Sequence, residues 1–167
     1  MKKVDLSLLN ENFIERISKE WMLVTAGQKS AFNTMTANWG GLGFLWNKPV
    51  VFVFIRPERY TYEFIEKNEY FTLSFLGEEN KNIHKICGSK SGREIDKVKE
   101  TGLCLIQTDL GNVTFEQARL ALECKKLYAD WVDETHFIDK DIFPKWYTTK
   151  GNPHKMYVAE IVNAWIK

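Results

Sequence analysis

Six consecutive apolar residues, Val50-Val51-Phe52-Val53-Phe54-Ile55, constrain the fold more than any other stretch of this chain. An unbroken run of β-branched and aromatic side chains predicts a strand buried on both faces. Polarity then returns all at once in Arg56-Pro57-Glu58-Arg59-Tyr60-Thr61. Two arginines, a phenol and a hydroxyl gather around a proline that fixes the turn. Donors of this kind at the end of a core strand pose the question of what they hold.

The neighbouring segments extend the β pattern. Residues 21–26 read as a strand ending near Gly27, and residues 32–39 partly alternate apolar with polar, so the two form an expected antiparallel pair. Before them, Phe13, Ile14 and Ile17 fall at helical spacing within residues 10–19, predicting a short amphipathic helix over one side of a sheet. Gly40-Gly41-Leu42-Gly43 reads as an interruption, and Asn47-Lys48-Pro49 as a turn. Residues 62–67 predict a short helix with Thr61 as its N-cap and Asn68 near its end. Residues 70–75 alternate as a strand. Two helical patterns, 80–87 and 93–101 with Gly102 as a stop, flank the loop Gly88-Ser89-Lys90-Ser91-Gly92. Residues 103–108, 113–116, 119–128 and 155–166 return to β. Many strands with a few short helices, lacking the strand–helix alternation of a doubly wound sheet, predict a mainly β chain folded as an antiparallel barrel.

Composition limits the functions. A length of 167 residues suits one domain spanning residues 1–167. Basic side chains number 23 against 22 acidic ones, so no global field favours nucleic acid or an anionic membrane, and any anion must be held locally. Lys2 and Lys3 meet Asp5 before an apolar core develops, which argues against a signal peptide, and no apolar stretch is long enough to cross a bilayer. Cys87, Cys104 and Cys124 are odd in number and widely spaced, as expected of reduced thiols in the cytoplasm.

Arginine presents a planar fork suited to carboxylate or phosphate, and a helix start adds N–H groups with the same aim. Arg56, Arg59, Tyr60 and Thr61 therefore form a candidate phosphate cradle, with surface pairing to Glu58 or Glu63 as the alternative. Gly88-Ser89-Lys90-Ser91-Gly92-Arg93 lacks the ending of a Walker-type loop. His84 and Cys87 lie one helical turn apart, but no second pair with ligand spacing accompanies them, so no metal site is expected. No activated cysteine or nucleophile-elbow serine is legible, and a phosphate-bearing cofactor that brings its own chemistry is the economical expectation.

Taken in order, Asn33-Thr34-Met35-Thr36-Ala37-Asn38-Trp39-Gly40, Phe44-Leu45-Trp46-Asn47-Lys48-Pro49, Ile55-Arg56-Pro57-Glu58-Arg59-Tyr60-Thr61 and Cys87-Gly88-Ser89-Lys90-Ser91-Gly92-Arg93 resemble the flavin reductase-like, flavoredoxin-type family of FMN-binding split barrels. The resemblance implies an antiparallel split β-barrel and a homodimer with FMN near the subunit interface. It places the isoalloxazine against Thr34, Met35, Thr36, Ala37, Asn38 and Trp39, and the phosphate at Arg56, Arg59, Tyr60 and Thr61. Ser89, Lys90, Ser91, Gly92 and Arg93 would close over the cofactor or meet the nicotinamide dinucleotide. The implied reaction is hydride transfer from NADH or NADPH to the flavin, with electrons passed to free flavin or another acceptor; no catalytic side chain is required because the flavin carries the chemistry. An FMN-binding electron carrier without direct NAD(P)H turnover is the alternative. A related barrel that holds haem is a third reading, for which His84, His136 and His154 offer no axial arrangement.

Overall fold

The structure is a computed structural model describing residues 1–149 and 151–167. Its strands are β1 (Lys2–Val4), β2 (Met22–Gln28), β3 (Ala31–Ala37), β4 (Gly40–Leu45), β5 (Lys48–Ile55), β6 (Tyr70–Phe75), β7 (Leu105–Gln107), β8 (Val113–Phe115), β9 (Leu120–Trp131) and β10 (Lys155–Ile166). The helices are α1 (Phe13–Glu15), α2 (Tyr60–Lys67), α3 (Lys81–Ser89), α4 (Lys97–Thr101) and α5 (Ile142–Trp146). The large sheet runs β3-β2-β6-β9-β10-β5-β4, with β1 added on β10, and β7 and β8 pair separately. Every pairing is antiparallel. β3 and β4 are neighbours in sequence yet lie at opposite ends of this path, joined by Asn38 and Trp39, so the barrel is split at that seam. No helix is long and apolar enough to cross a membrane among the described residues.

The expected pair of strands is present as β2 and β3, in register from Met22↔Ala37 to Gln28↔Ala31. The double burial expected for residues 50–55 holds only in part. Val51, Val53 and Ile55 enter the main core with Met22, Val24, Phe71, Leu73, Leu122 and Tyr157, whereas Phe52 and Phe54 are half-buried on the opposite face. The glycines explain this. Gly40 to Leu45 form strand β4, paired with β5 from Gly40↔Val53 to Leu45↔Lys48, rather than an interruption. A Cβ on Gly43 would sit 3.5 Å from the Phe52 ring, so the glycine strand is the floor on which Phe52 lies. The hairpin turn is Trp46-Asn47, both with positive φ, one residue earlier than expected.

The first helix is also shorter than its apolar spacing predicts. α1 gives way to a π-helical turn over Arg16–Glu20, closed by the Trp21 N–H donating to the Arg16 carbonyl at 2.8 Å. Phe13 packs edge-on to Phe75 and Ile17 is buried, but Ile14 points outward. The turn delivers Glu20, 1% exposed, into a buried cluster. Its carboxylate accepts from the Gly77 N–H at 2.6 Å and from Arg119 Nε and Nη2 at 3.0 and 2.7 Å. Arg119 Nη1 reaches Glu11 at 2.8 Å, so one guanidinium ties the N-terminal segment to the sheet.

β9 and β10 pair as far as Lys155↔Trp131, the Val132 N–H donates to the His154 carbonyl at 2.9 Å, and the described residues between them form an excursion from this hairpin. Sequence periodicity foretold none of it. α5 belongs to this excursion and brings Trp146 and His154 to the seam side of the barrel.

Candidate functional site

A cleft of about 250 Å³ opens where the sheet is split. Its walls are Met35, Thr36, Ala37, Asn38 and Trp39 at the end of β3, Phe54 and Arg56 at the end of β5, Arg59 beyond it, and Trp146 and His154 from the excursion. Trp39 meets Trp146 edge-to-face at 5.0 Å between centroids and lies 5.1 Å from the His154 ring. His154 Nδ1 is 3.1 Å from the Tyr147 hydroxyl. Burial lowers this imidazole to about 4, with Arg56 adding to the effect and Glu58 opposing it, so His154 is neutral at pH 7.

Arg56 has a structural task in this wall. Its Nη1 donates to the Asn152 carbonyl and its Nη2 to the Trp146 carbonyl, both at 3.0 Å, and its guanidinium stacks 5.3 Å from the Tyr147 ring. The residue thus holds the excursion, and with it Trp146, against the cleft. Glu58 assists by accepting from the Asn152 N–H and side-chain amide at 2.7 and 2.8 Å.

A smaller cavity of about 130 Å³ adjoins the cleft, sharing Met35 and Arg59 with it. Glu58, Tyr60, Thr61, Ser89, Lys90, Ser91, Gly92 and Lys97 complete its lining. Arg59 donates to the carbonyls of Gly88 at 2.7 Å and Cys87 at 3.3 Å, where α3 ends. Lys97 Nζ donates to the carbonyls of Thr34 at 2.8 Å and Cys87 at 2.9 Å. Among the described residues neither cation has a carboxylate partner. α2 begins here with Arg59 as its N-cap and no capping side chain, so the first N–H groups of the helix have no intrahelical acceptor. Thr61 is not the cap. It lies inside the helix, fully buried, and its hydroxyl accepts from the Asn33 side-chain amide at 2.7 Å.

The sequence match that decides the family is to the flavin reductase like domain, over residues 14–167. The chain belongs to the flavin reductase-like family. Solved structures with the same split-barrel fold include the FMN-binding protein from Thermus thermophilus with bound p-hydroxybenzaldehyde (23% identity, 88% of this chain and 71% of that chain, TM-score 0.67). Flavoredoxin from Methanosarcina acetivorans is similar at 22% identity over 89% of this chain and 68% of that one, TM-score 0.67. A more distant likeness is to the Streptomyces globisporus NADH:FAD oxidoreductase SgcE6 in complex with NAD and FAD fragments (16% identity, 89% and 74% coverage, TM-score 0.64). Comparison with curated proteins gave no match.

Within this flavin reductase-like fold, the residues singled out by sequence divide among three places. Met35 to Trp39, Arg56 and Arg59 line the cleft; Arg59, Tyr60, Thr61, Ser89, Lys90, Ser91 and Gly92 line the small cavity. Thr34 is buried and hydrogen-bonds Thr25 through its hydroxyl at 2.8 Å, although its carbonyl holds Lys97. Arg93 stacks on Tyr60 at 4.6 Å, pairs with Glu63 and borders a separate groove. Glu63, one of the two carboxylates offered as an alternative partner for Arg56 or Arg59, thus pairs with Arg93. Gly88 and Ser89 end helix α3, and the connecting loop starts at Lys90. Phe54, Trp146, His154 and Lys97 were missed as lining residues, as was Glu58 within the turn itself. Only Phe54 carried a signal, because strict alternation from the buried Val53 would have turned it outward.

Gly92 is the tightest point of the small cavity. A Cβ there would collide with Asn33 Oδ1 and stand 3.2 Å from the Tyr60 ring. Gly92→Ala should push Asn33 off Thr61 and disturb the start of α2, at a cost of about 1–3 kcal/mol. A thermal melt unchanged from the parent would contradict this.

Proposed function

We propose that this chain binds FMN as a single domain, takes hydride from NADH or NADPH, and passes the electrons to free flavin or another acceptor. The observation that carries the reading is the cavity around Arg59 and Lys97, two cations without a carboxylate partner among the described residues, opening into a polar and aromatic cleft. Taking two cations out of water without a counter-charge is unfavourable, and a phosphate between them would relieve it. β3 is an edge of the sheet, so outward N–H and C=O groups beyond the Thr34 carbonyl, which Lys97 holds, can face the polar rim of a planar ring. When bound, FMN supplies the hydride-accepting chemistry itself.

The protein's residues position and shelter. Residues 35–39 flank the ring, with Thr36 fixed by donating its hydroxyl to the His84 carbonyl at 2.7 Å. Arg59, Tyr60 and Thr61 hold the phosphate end, and Ser89, Lys90, Ser91 and Gly92 enclose it. Arg56 fixes the excursion, and Trp39 and Trp146 keep water from the cleft. Phe44 and Trp46, exposed at 71% and 55% along the β4 edge, support a homodimer as the working unit. The reading places the protein in the cytoplasm.

The electron-carrier reading draws support from Trp146. Its side chain forms part of the wall of a cleft of about 250 Å³, smaller than the roughly 300–1,000 Å³ of most ligand pockets, which leaves little room for a nicotinamide beside a flavin. Titration of the cofactor-stripped protein with FMN tests the part common to both readings. Saturable quenching of flavin and tryptophan fluorescence is expected; a linear response without saturation would overturn both.

A further inference from the structure

Within the FMN reading, on which this inference rests, we propose that Lys97 is the cation that recognises the cofactor's phosphate and makes that recognition dependent on pH. Lys97, the first residue of α4, is 6% exposed, and two of its three ammonium N–H donors go to the Thr34 and Cys87 carbonyls. One donor remains. Arg59 converges on the same Cys87 carbonyl, so two positive charges meet around a single oxygen. The space beside them, about 130 Å³, equals about four water volumes at ~30 Å³ each, room for a phosphoryl group but not for a three-ring isoalloxazine. Lys97 also joins the two halves of the candidate site. By holding the Thr34 carbonyl it fixes β3, the strand expected to face the ring, while it lines the cavity expected to take the phosphate.

The charged and titratable groups around Lys97 come from four places. Arg59 and Glu58 precede α2, Tyr60 starts it, Cys87 and Lys90 lie at the end of α3, and Arg93, Glu94 and Asp96 border the groove on the far side. Burial lowers the Lys97 amine to about 8; Cys87 opposes the shift and Arg59 adds to it. Cys87, pushed up to about 11 chiefly by burial, remains a thiol at that pH. Glu58 remains a carboxylate: burial raises it, but hydrogen bonds from Asn152 and its own N–H, together with the Arg56 charge, hold it below its ordinary value. Below pH 8 the amine is charged and meets the phosphate dianion directly. Above pH 8 it must first take up a proton, so the phosphate's contribution falls about tenfold per pH unit.

The test measures FMN and riboflavin affinities for the full chain, Lys97→Met and Lys97→Arg by fluorescence titration at pH 7 and pH 9. Riboflavin lacks the phosphate, so the ratio of the two affinities isolates the phosphate contact. The parent's preference for FMN should fall about tenfold from pH 7 to pH 9. Lys97→Met should lose roughly 10- to 100-fold of that preference at pH 7, whatever smaller loss riboflavin shows from the release of the Thr34 carbonyl. Lys97→Arg should retain the preference and lose its pH dependence. Should Lys97→Met fail to fold, the parent's pH profile decides alone: a ratio equal at pH 7 and pH 9 overturns the proposal. A parent that binds both ligands with a flat ratio, or Lys97→Met with an undiminished one, overturns the role of Lys97 and leaves the FMN reading standing. A parent that binds neither ligand overturns both.

Discussion

Arg59→Ala is expected to weaken FMN binding by roughly 10- to 100-fold and riboflavin binding by little, because only FMN presents a phosphate to the cavity that Arg59 lines. Arg56→Ala should behave differently, although both arginines stand in one turn. The Arg56 fork is engaged with the carbonyls of Trp146 and Asn152, so its loss loosens the wall that Trp146 forms and should weaken both ligands by a similar factor. Paired fluorescence titrations separate the two effects. A phosphate-specific loss in Arg56→Ala, or an equal loss for both ligands in Arg59→Ala, would show that the arginines had been assigned the wrong way round.

The largest effect on stability is expected at Arg119. Removing it leaves Glu20, 1% exposed, with the Gly77 N–H and a long 3.3 Å contact to Arg16 in place of a bidentate guanidinium. Breaking a buried pair from one side costs about 3–5 kcal/mol. For a chain of this size that lowers Tm by roughly 10 °C. Arg119→Ala combined with Glu20→Gln should recover part of the loss, since the buried side chain no longer carries a charge that the long Arg16 contact alone must offset. Thermal melts of the single and double variants decide it, and a fall of only a degree or two in Arg119→Ala would contradict the account.

The strands were legible where side chains alternate, as in β3, β6 and β9, because one face of each meets the core. They were illegible where glycine replaces the alternating residue: β4 is held by its ladder with β5 and by the Phe52 ring lying over it, neither of which is a local property. Thr61 has the composition of an N-cap, yet tertiary contact with Asn33 draws it inside the helix. The site shows the same division. Residues 35–39 and Arg59-Tyr60-Thr61 lie on contiguous strand and turn segments and could be named from their order. Lys97 could not, since it reads as one charge among several on a short helix, and only the approach of α4 to the end of α3 makes it buried. Trp146 and His154 belong to an excursion without periodicity, placed by Arg56 through backbone carbonyls that any sequence would supply.

The central claim is that hydride passes from a nicotinamide to a flavin held in the cleft. Its most direct test is anaerobic mixing of the FMN-loaded protein with NADH and, separately, NADPH, followed in the flavin absorbance band. The account predicts bleaching on the order of seconds or faster with at least one of the two. A flavin that binds but stays oxidised with both would contradict hydride transfer and leave the electron-carrier reading in its place.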